Sequence, residues 1–312
     1  MTADGAALDS RTGAGATPAA KWQLGIPTLL FIVSAALCIQ VLVLLTISRG
    51  DPVDALSYWL TDPANPYPMN RVEYQFGYSP VVAQLWAPLF ELPWQAFVLL
   101  FRVVEIVGLL VLAGPLAGAL IFTTPMASEV NAANINMLLG VVMVLGFRWP
   151  ALWSIALLTK PSMGIGLLWF VFRGEWRKAA LPIAIAGALS LVSFVFAPHL
   201  WFQWVDWVLH GTSPVGEWPY PFPIWARLPI SFLILIWAVR TNRPWAVVLA
   251  SALSLPRLYF MSPAILVAMI PLIPWLGRLV VPWTRRLSRV DELYPPRAST
   301  ATSAGTVRAP VA

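Results

Sequence analysis

Two carboxylates stand out in "GDPVDALSYW". Asp51 and Asp54 lie three residues apart, directly after an apolar run that ends near Ile47. A carboxylate at a membrane rim can take a proton from a hydroxyl, which is general-base chemistry. The same stretch also reads as a helix start, with Asp51 as the cap, Pro52 in the first turn, and Asp54 a turn before Tyr58. A second group lies in "PHLWFQWVDWVLH", where Trp201, Trp204, Trp207 and His210 recur at helical spacing. One aromatic face on an interfacial helix anchors a protein at the bilayer surface, or offers indole rings to a sugar or a prenyl chain. A third group is intramembrane. Lys160 sits within "ALLTKPSMG", and a cation at that depth is costly enough to mark a functional site or a buried partner.

The remaining polar residues have simpler readings. Arg102 and Glu105 are three apart in one apolar run and are expected to pair with each other. Glu129 with Asn131, Asn134 and Asn136 forms a polar knot in "SEVNAANINM", fit to close a broken-helix backbone or to bind hydroxyls. Arg227 and Arg257 fall toward the outer ends of their apolar runs, where a guanidinium fork suits a phosphate.

Membrane helices must position these groups. The chain is 59% hydrophobic and 11% charged, with a mean hydropathy of +0.73, and a soluble domain carries roughly twice that charge. The expected class is all-α and polytopic, with nine or ten transmembrane or re-entrant helices near 24–47, 79–92, 94–113, 114–125, 135–147, 149–172, 179–197, 223–239, 244–259 and 260–279. Prolines within or beside these runs, such as Pro115, Pro161, Pro182 and Pro271, predict broken helices around a polar cavity. The ends, 1–20 and 285–312, read as disordered and cytoplasmic, flanking a membrane domain over 21–284.

Charge sets the orientation. The net charge of +6 is spread over short segments, "RGEWRK" at 173–178, "RTNR" at 240–243 and the tail from Arg278, which is positive-inside bias and not a nucleic-acid surface. Loops 48–78 and 198–222 then share the outer face. The first run, Leu24 to about Ile47, is too long for a cleaved signal core and reads as a retained span. One cysteine and two histidines leave no intrachain disulfide and no Cys- or His-based metal centre. Phosphate-loop, dinucleotide, serine-hydrolase and zinc signatures are absent, so the expected chemistry uses no cofactor.

The order of features resembles glycosyltransferase family 87. "DALSY" follows the first span, "YSP" opens the next helix, and then come "ANINMLLGVVMVLG", "ALLTKPSMGIGLLWFVFRGEWRKA" and "RLYFMSPAILVAMIPL". The likeness covers roughly residues 24–280. The family belongs to the C-type (GT-C) glycosyltransferases and includes polyprenyl-phosphate-mannose-dependent α-mannosyltransferases.

That resemblance implies an active site on the outer face and a polyprenyl-phosphate sugar as donor. It implies a catalytic aspartate in the first outer loop, which by position is Asp54, with Asp51 as the fallback. Lys160 matches the family's Lys-Pro, and it would steady the donor phosphate with Arg257 and Arg227. Tyr58, Asn134, Asn136, Trp201, Trp204 and His210 would contact the acceptor or the sugar. The expected partners are membrane lipid, the donor and a lipid or glycan acceptor, with no metal. The family's Gly-Gln/Asn-x-Asn signature stands here as "AANIN", and the chain is short for the family. Those departures suit a non-catalytic member that works with a membrane-protein partner, while the broken helices and Lys160 suit a third reading, a transporter or flippase of lipid-linked sugars.

Overall fold

The computed structural model describes residues 25–48, 52–68, 76–210 and 223–295. Asp51, with its expected capping role, lies outside the described residues. Among the described residues there is no strand. The helices run α1 (Ile26–Ile47), α2 (Val53–Trp59), α3 (Pro80–Phe90), α4 (Trp94–Ala113), α5 (Ala117–Leu120), α6 (Thr124–Ala132), α7 (Asn136–Gly146), α8 (Trp153–Thr159) and α9 (Leu168–Phe172). They continue as α10 (Trp176–Phe196), α11 (Pro198–His210), α12 (Ile224–Thr241), α13 (Trp245–Leu253), α14 (Pro274–Val280), α15 (Pro282–Ser288) and α16 (Val290–Leu293). Among the described residues four 3-10 helices join them, two of three residues, Gly114–Leu116 and Pro150–Leu152, and two longer, Pro161–Leu167 and Ser262–Leu272.

Four helical stretches are long and apolar enough to cross a bilayer: Ile26–Ile47, Trp94–Leu120, Trp176–Phe196 and Ile224–Thr241. The count reaches six if two bent pairs, Thr124–Ala132 with Asn136–Gly146 and Ser262–Leu272 with Pro274–Val280, each make one span. The pairs bend by 105° and 89°. The expected nine or ten segments counted re-entrant helices as well, and four to six is the number among the described residues that pass as spans by length and hydropathy. Run 79–92 folds as a short helix of less than bilayer length, because crossing takes about twenty residues, whereas the start of 114–125 continues the Trp94–Leu120 stretch.

The largest correction concerns 149–172. It is long enough to cross once but folds as a hairpin that turns at Lys160 and Pro161. Trp153, at the start of α8, is fully buried between Gly146 and Gly166, where an added Cβ would come within 2.5 Å of its ring at either glycine. Phe147 meets Trp169 and Phe170 at 5.8 and 6.2 Å, so the two ends of the hairpin lie at one level. A proline after Lys160 bars continuous helix, and the returning limb of the hairpin starts as a 3-10 helix.

Helix α1 buries only Ser34 and Cys38 and turns the rest of its apolar surface outward. It holds by close approach instead of a wide apolar interface, as membrane helices do. The Ser34 hydroxyl donates to the Pro115 carbonyl, and an added Cβ on Gly118 would stand 2.8 Å from the Ser34 Cα. Pro182 does not break α10, which runs unbroken for 21 residues.

Basic segments meet at one end of the molecule. Arg173 donates to Asn242 Oδ1 at 2.8 Å, Arg148 to the Leu287 carbonyl at 3.0 Å, and the Tyr294 hydroxyl to Glu175 at 2.9 Å. The expectation that residues from 285 onward lack structure is therefore too broad. Arg285 is buried and forks onto Asp291, while Tyr294 packs edge-on against Phe147 and Trp169 and beneath Arg173. These contacts order the chain through α16, upstream of the Pro- and Ala-rich stretch.

Gly114 joins α4 to the next turn with φ +53° and ψ −125°, and a Cβ there would lie 2.8 Å from the Val280 carbonyl oxygen. Both the backbone region and the contact demand glycine. Gly114→Ala is expected to destabilise the fold by about 2–4 kcal/mol, read as an earlier thermal melt in detergent. An unchanged melt would refute the argument.

Candidate functional site

Opposite the basic end, six elements bring their polar side chains together. Helix α2 starts from Pro52, which leaves Asp54 in the first turn and Tyr58 one turn on, as the spacing predicts. Asp54 is half-buried, and its Oδ2 is sealed from solvent without a hydrogen-bond partner. Burial raises its carboxyl to about 6, and the charge of Lys160 pulls in the opposite direction. An acid held near neutrality, with a free oxygen, has the properties of a general base.

The Tyr58 hydroxyl lies 2.6 Å from that of Tyr78 and donates to Asn134 Oδ1 at 3.3 Å. With that donor used, Tyr78 must donate to Tyr58. Tyr67 anchors the pair by donating to the Tyr78 carbonyl at 2.7 Å. Phe76, Trp86 and Phe101 wall Tyr58 at ring separations of 5.5 to 6.2 Å. Burial raises both phenols well above their ordinary range, so they remain neutral donors.

The break between α6 and α7 supplies the next layer. Ala133 turns left-handed at φ 54°, which frees the first amides of α7. Carboxylates and an amide satisfy them, because helix N-termini leave N–H groups unpaired and favour negative charge. Asn134 Oδ1 accepts from the Ile135 amide at 2.8 Å. Glu129 takes the amide and side chain of Asn136 at 3.1 and 2.9 Å, and Glu105 takes the Met137 amide at 3.2 and 3.3 Å. The Asn-rich knot thus does close a broken backbone.

Lys160, at the hairpin turn, donates to Asn136 Oδ1 at 2.6 Å. Its ammonium faces three carboxylates, Glu129, Asp54 and Glu105. The cluster therefore joins the first loop to the hairpin through Asn136, and its acids outnumber its cation.

Other expected residues lie apart. Arg102 and Glu105 do not pair. Arg102 donates to the carbonyls of Leu45 and Asn131 at 2.8 and 3.3 Å, tying α1 to α4 and α6. Each partner met a backbone group exposed at a helix end, and those fixed groups won over the neighbouring side chain. Arg227 donates to the carbonyls of Leu253, Leu255 and Pro256 at 3.0, 2.7 and 3.0 Å, which caps the end of α13. It borders a nearly apolar cavity of about 260 Å³ with Leu249 and Leu266, and no member of the Asp54 cluster lines that space. Arg257 is half-buried in the turn after α13. His210 is exposed at the end of α11 and pairs with Asp206 at 2.9 Å.

Helix α11 turns one aromatic face inward, as its spacing predicts. Trp207 lies over Gly77 and packs against Tyr67 at 6.3 Å, so α11 covers these two residues of the first polar loop. Trp201 and Trp204 reach Ser79, the residue after Tyr78, around a separate cavity. The two aromatic-rich segments therefore share one face. Tyr78, Glu105 and Glu129 were not singled out as site residues by sequence. The i+7 spacing of Glu129 and Asn136 across a helix break was the available signal.

Among the described residues no group of three or more His, Cys, Asp or Glu side chains could hold a metal ion. The chain matches no protein-family model, no curated protein and no solved structure.

Proposed function

We propose that the chain is a membrane glycosyltransferase that moves a sugar, mannose by its resemblance, from a polyprenyl-phosphate donor to a lipid or glycan hydroxyl on the outer face of the cell membrane. The observation that carries this reading is the Asp54 carboxylate, with one oxygen free, set among Tyr58, Tyr78, Asn134 and Lys160 beneath α11. Asp54 takes the proton of the acceptor hydroxyl. The acceptor oxygen forms a bond to the anomeric carbon as the carbon–phosphate oxygen bond breaks, and polyprenyl phosphate leaves with that electron pair. Lys160 keeps two N–H donors beyond its bond to Asn136, and a cation beside the leaving phosphate stabilises the developing charge. Arg227 is engaged by three carbonyls, so Lys160 is the better candidate for that task. No cofactor enters this scheme.

Purified protein given several polyprenyl-phosphate sugars and a hydroxyl lipid acceptor is expected to produce a glycosylated lipid, detected by its added hexose mass. A product that forms without a lipid-linked donor would defeat the reading. One observation favours a second reading: three carboxylates and one lysine at broken helices also suit a proton-coupled transporter. Movement of lipid-linked sugar across proteoliposomes without covalent product would select it. Retained binding with neither outcome would point to the non-catalytic member that works with a membrane-protein partner.

A further inference from the structure

A second cavity, of about 300 Å³, lies between α3, α8, α10 and α11. None of the side chains of the Asp54 cluster lines it. Ser79 Oγ and Trp204 Nε1 both line it, and both are buried atoms without a hydrogen-bond partner. Ser79 is only 3% exposed, and it stands at the start of α3 without capping that helix. Its neighbour Trp201 has its own indole N–H occupied by Ser193 Oγ at 3.0 Å, so Trp204 carries the spare donor. Buried polar groups are normally paired, and two orphans on one wall point to a missing partner.

The chemistry of that partner follows from the lining. Leu157, Leu158, Ile183, Ala186 and Trp201 supply apolar surface, Ser190 adds a second hydroxyl, and no charged side chain is present. An anionic phosphate would be buried here without a countercharge, which is expensive. An indole N–H only donates, whereas a serine hydroxyl donates or accepts, so a ligand hydroxyl satisfies both. The volume is at the small end for a ligand site and holds a head and its first methylenes, not a whole lipid. From Ile183 in the cavity wall, α10 turns Leu191 and Val195 outward, each more than half exposed, giving a track for the chains.

We infer that this cavity binds a neutral membrane lipid through a hydroxyl on its head, accepted between Ser79 and Trp204, with its chains lying along α10. Gly187 makes this testable. It lines the cavity, and a Cβ built on it meets nothing within 4 Å, so a larger side chain can start from it without a clash and narrow the space. Leucine also favours helix over glycine by about 1 kcal/mol, which protects α10.

The test uses the purified full chain in detergent micelles, with dioleoylglycerol as probe and native mass spectrometry to count the retained lipid. Methyl oleate, which lacks the hydroxyl, and dioleoylphosphatidylglycerol, which adds a charge, are the comparison lipids. Wild type is expected to retain one dioleoylglycerol per chain in preference to both. Gly187→Leu is expected to weaken retention at least about tenfold, and Ser79→Ala about fivefold, the loss of one hydrogen bond. Both variants should melt with wild type. Equal retention of all three lipids, or full retention by Gly187→Leu, would overturn the inference. Sugar transfer is not a readout, so the result stands apart from the proposed activity.

Discussion

Asp54→Asn is expected to lower sugar transfer by about 10²- to 10⁴-fold, the range for loss of a general base. The substitution keeps the shape and one acceptor oxygen but cannot take a proton. Donor binding should survive, so the loss falls on kcat and not on KM. The same carboxyl predicts a pH profile. Its value of about 6 means the base is protonated and idle at low pH, and the wild-type rate should climb through that value to a plateau above it. Asp54→Asn should flatten that limb. A variant that keeps wild-type transfer would remove Asp54 from the mechanism without touching the enzyme class.

Stability supplies an independent check, and its sign runs opposite to activity. An exposed aspartate loses its proton near pH 4, whereas Asp54 holds it to about 6. The folded state therefore binds the proton more tightly than the unfolded chain. That contribution is full below the unfolded value and is lost as pH rises through the folded one. At pH 8 wild type carries a buried charge that asparagine lacks, and Asp54→Asn should melt at or above wild type. A sharp drop in its melting temperature would mean that the carboxylate is structural.

Local chemistry made some of this arrangement legible. Runs such as Ile26–Ile47 and Trp176–Phe196 announce themselves, because a single span must satisfy its backbone alone and stay apolar over its length. The start of α2, the inward tryptophans of α11 and the Asn knot follow from spacing within a few residues. What stayed hidden depended on distant partners. Arg227 caps carbonyls 26 to 29 residues away, and Arg285 with Asp291 and Tyr294 orders a tail that reads as polar and loose. The hairpin at Lys160 was the hardest case. Its 24 residues fit one crossing by length and hydropathy, and only the Lys-Pro pair marks the turn.

That turn is where the second large effect is expected. Lys160→Met should lower stability by about 3–5 kcal/mol, because removing one partner of a buried ionic group leaves the others uncompensated. Asn136 loses the donor at 2.6 Å, and Glu129, Asp54 and Glu105 lose the lysine that faces them. Transfer should fail along with stability, so a single variant cannot separate support from catalysis. A double-mutant cycle can. Glu129→Gln keeps an acceptor for the Asn136 side chain and removes the charge that Lys160 meets first. If the penalty is electrostatic, Lys160→Met with Glu129→Gln should be more stable than Lys160→Met alone, with a coupling of about 1–3 kcal/mol. Additive losses would mean that Lys160 holds the hairpin by packing. If stability recovers in the double variant while transfer does not, Lys160 acts on the substrate as well as on its neighbours. The two roles are compatible, since Asn136 uses only one of the three ammonium hydrogens.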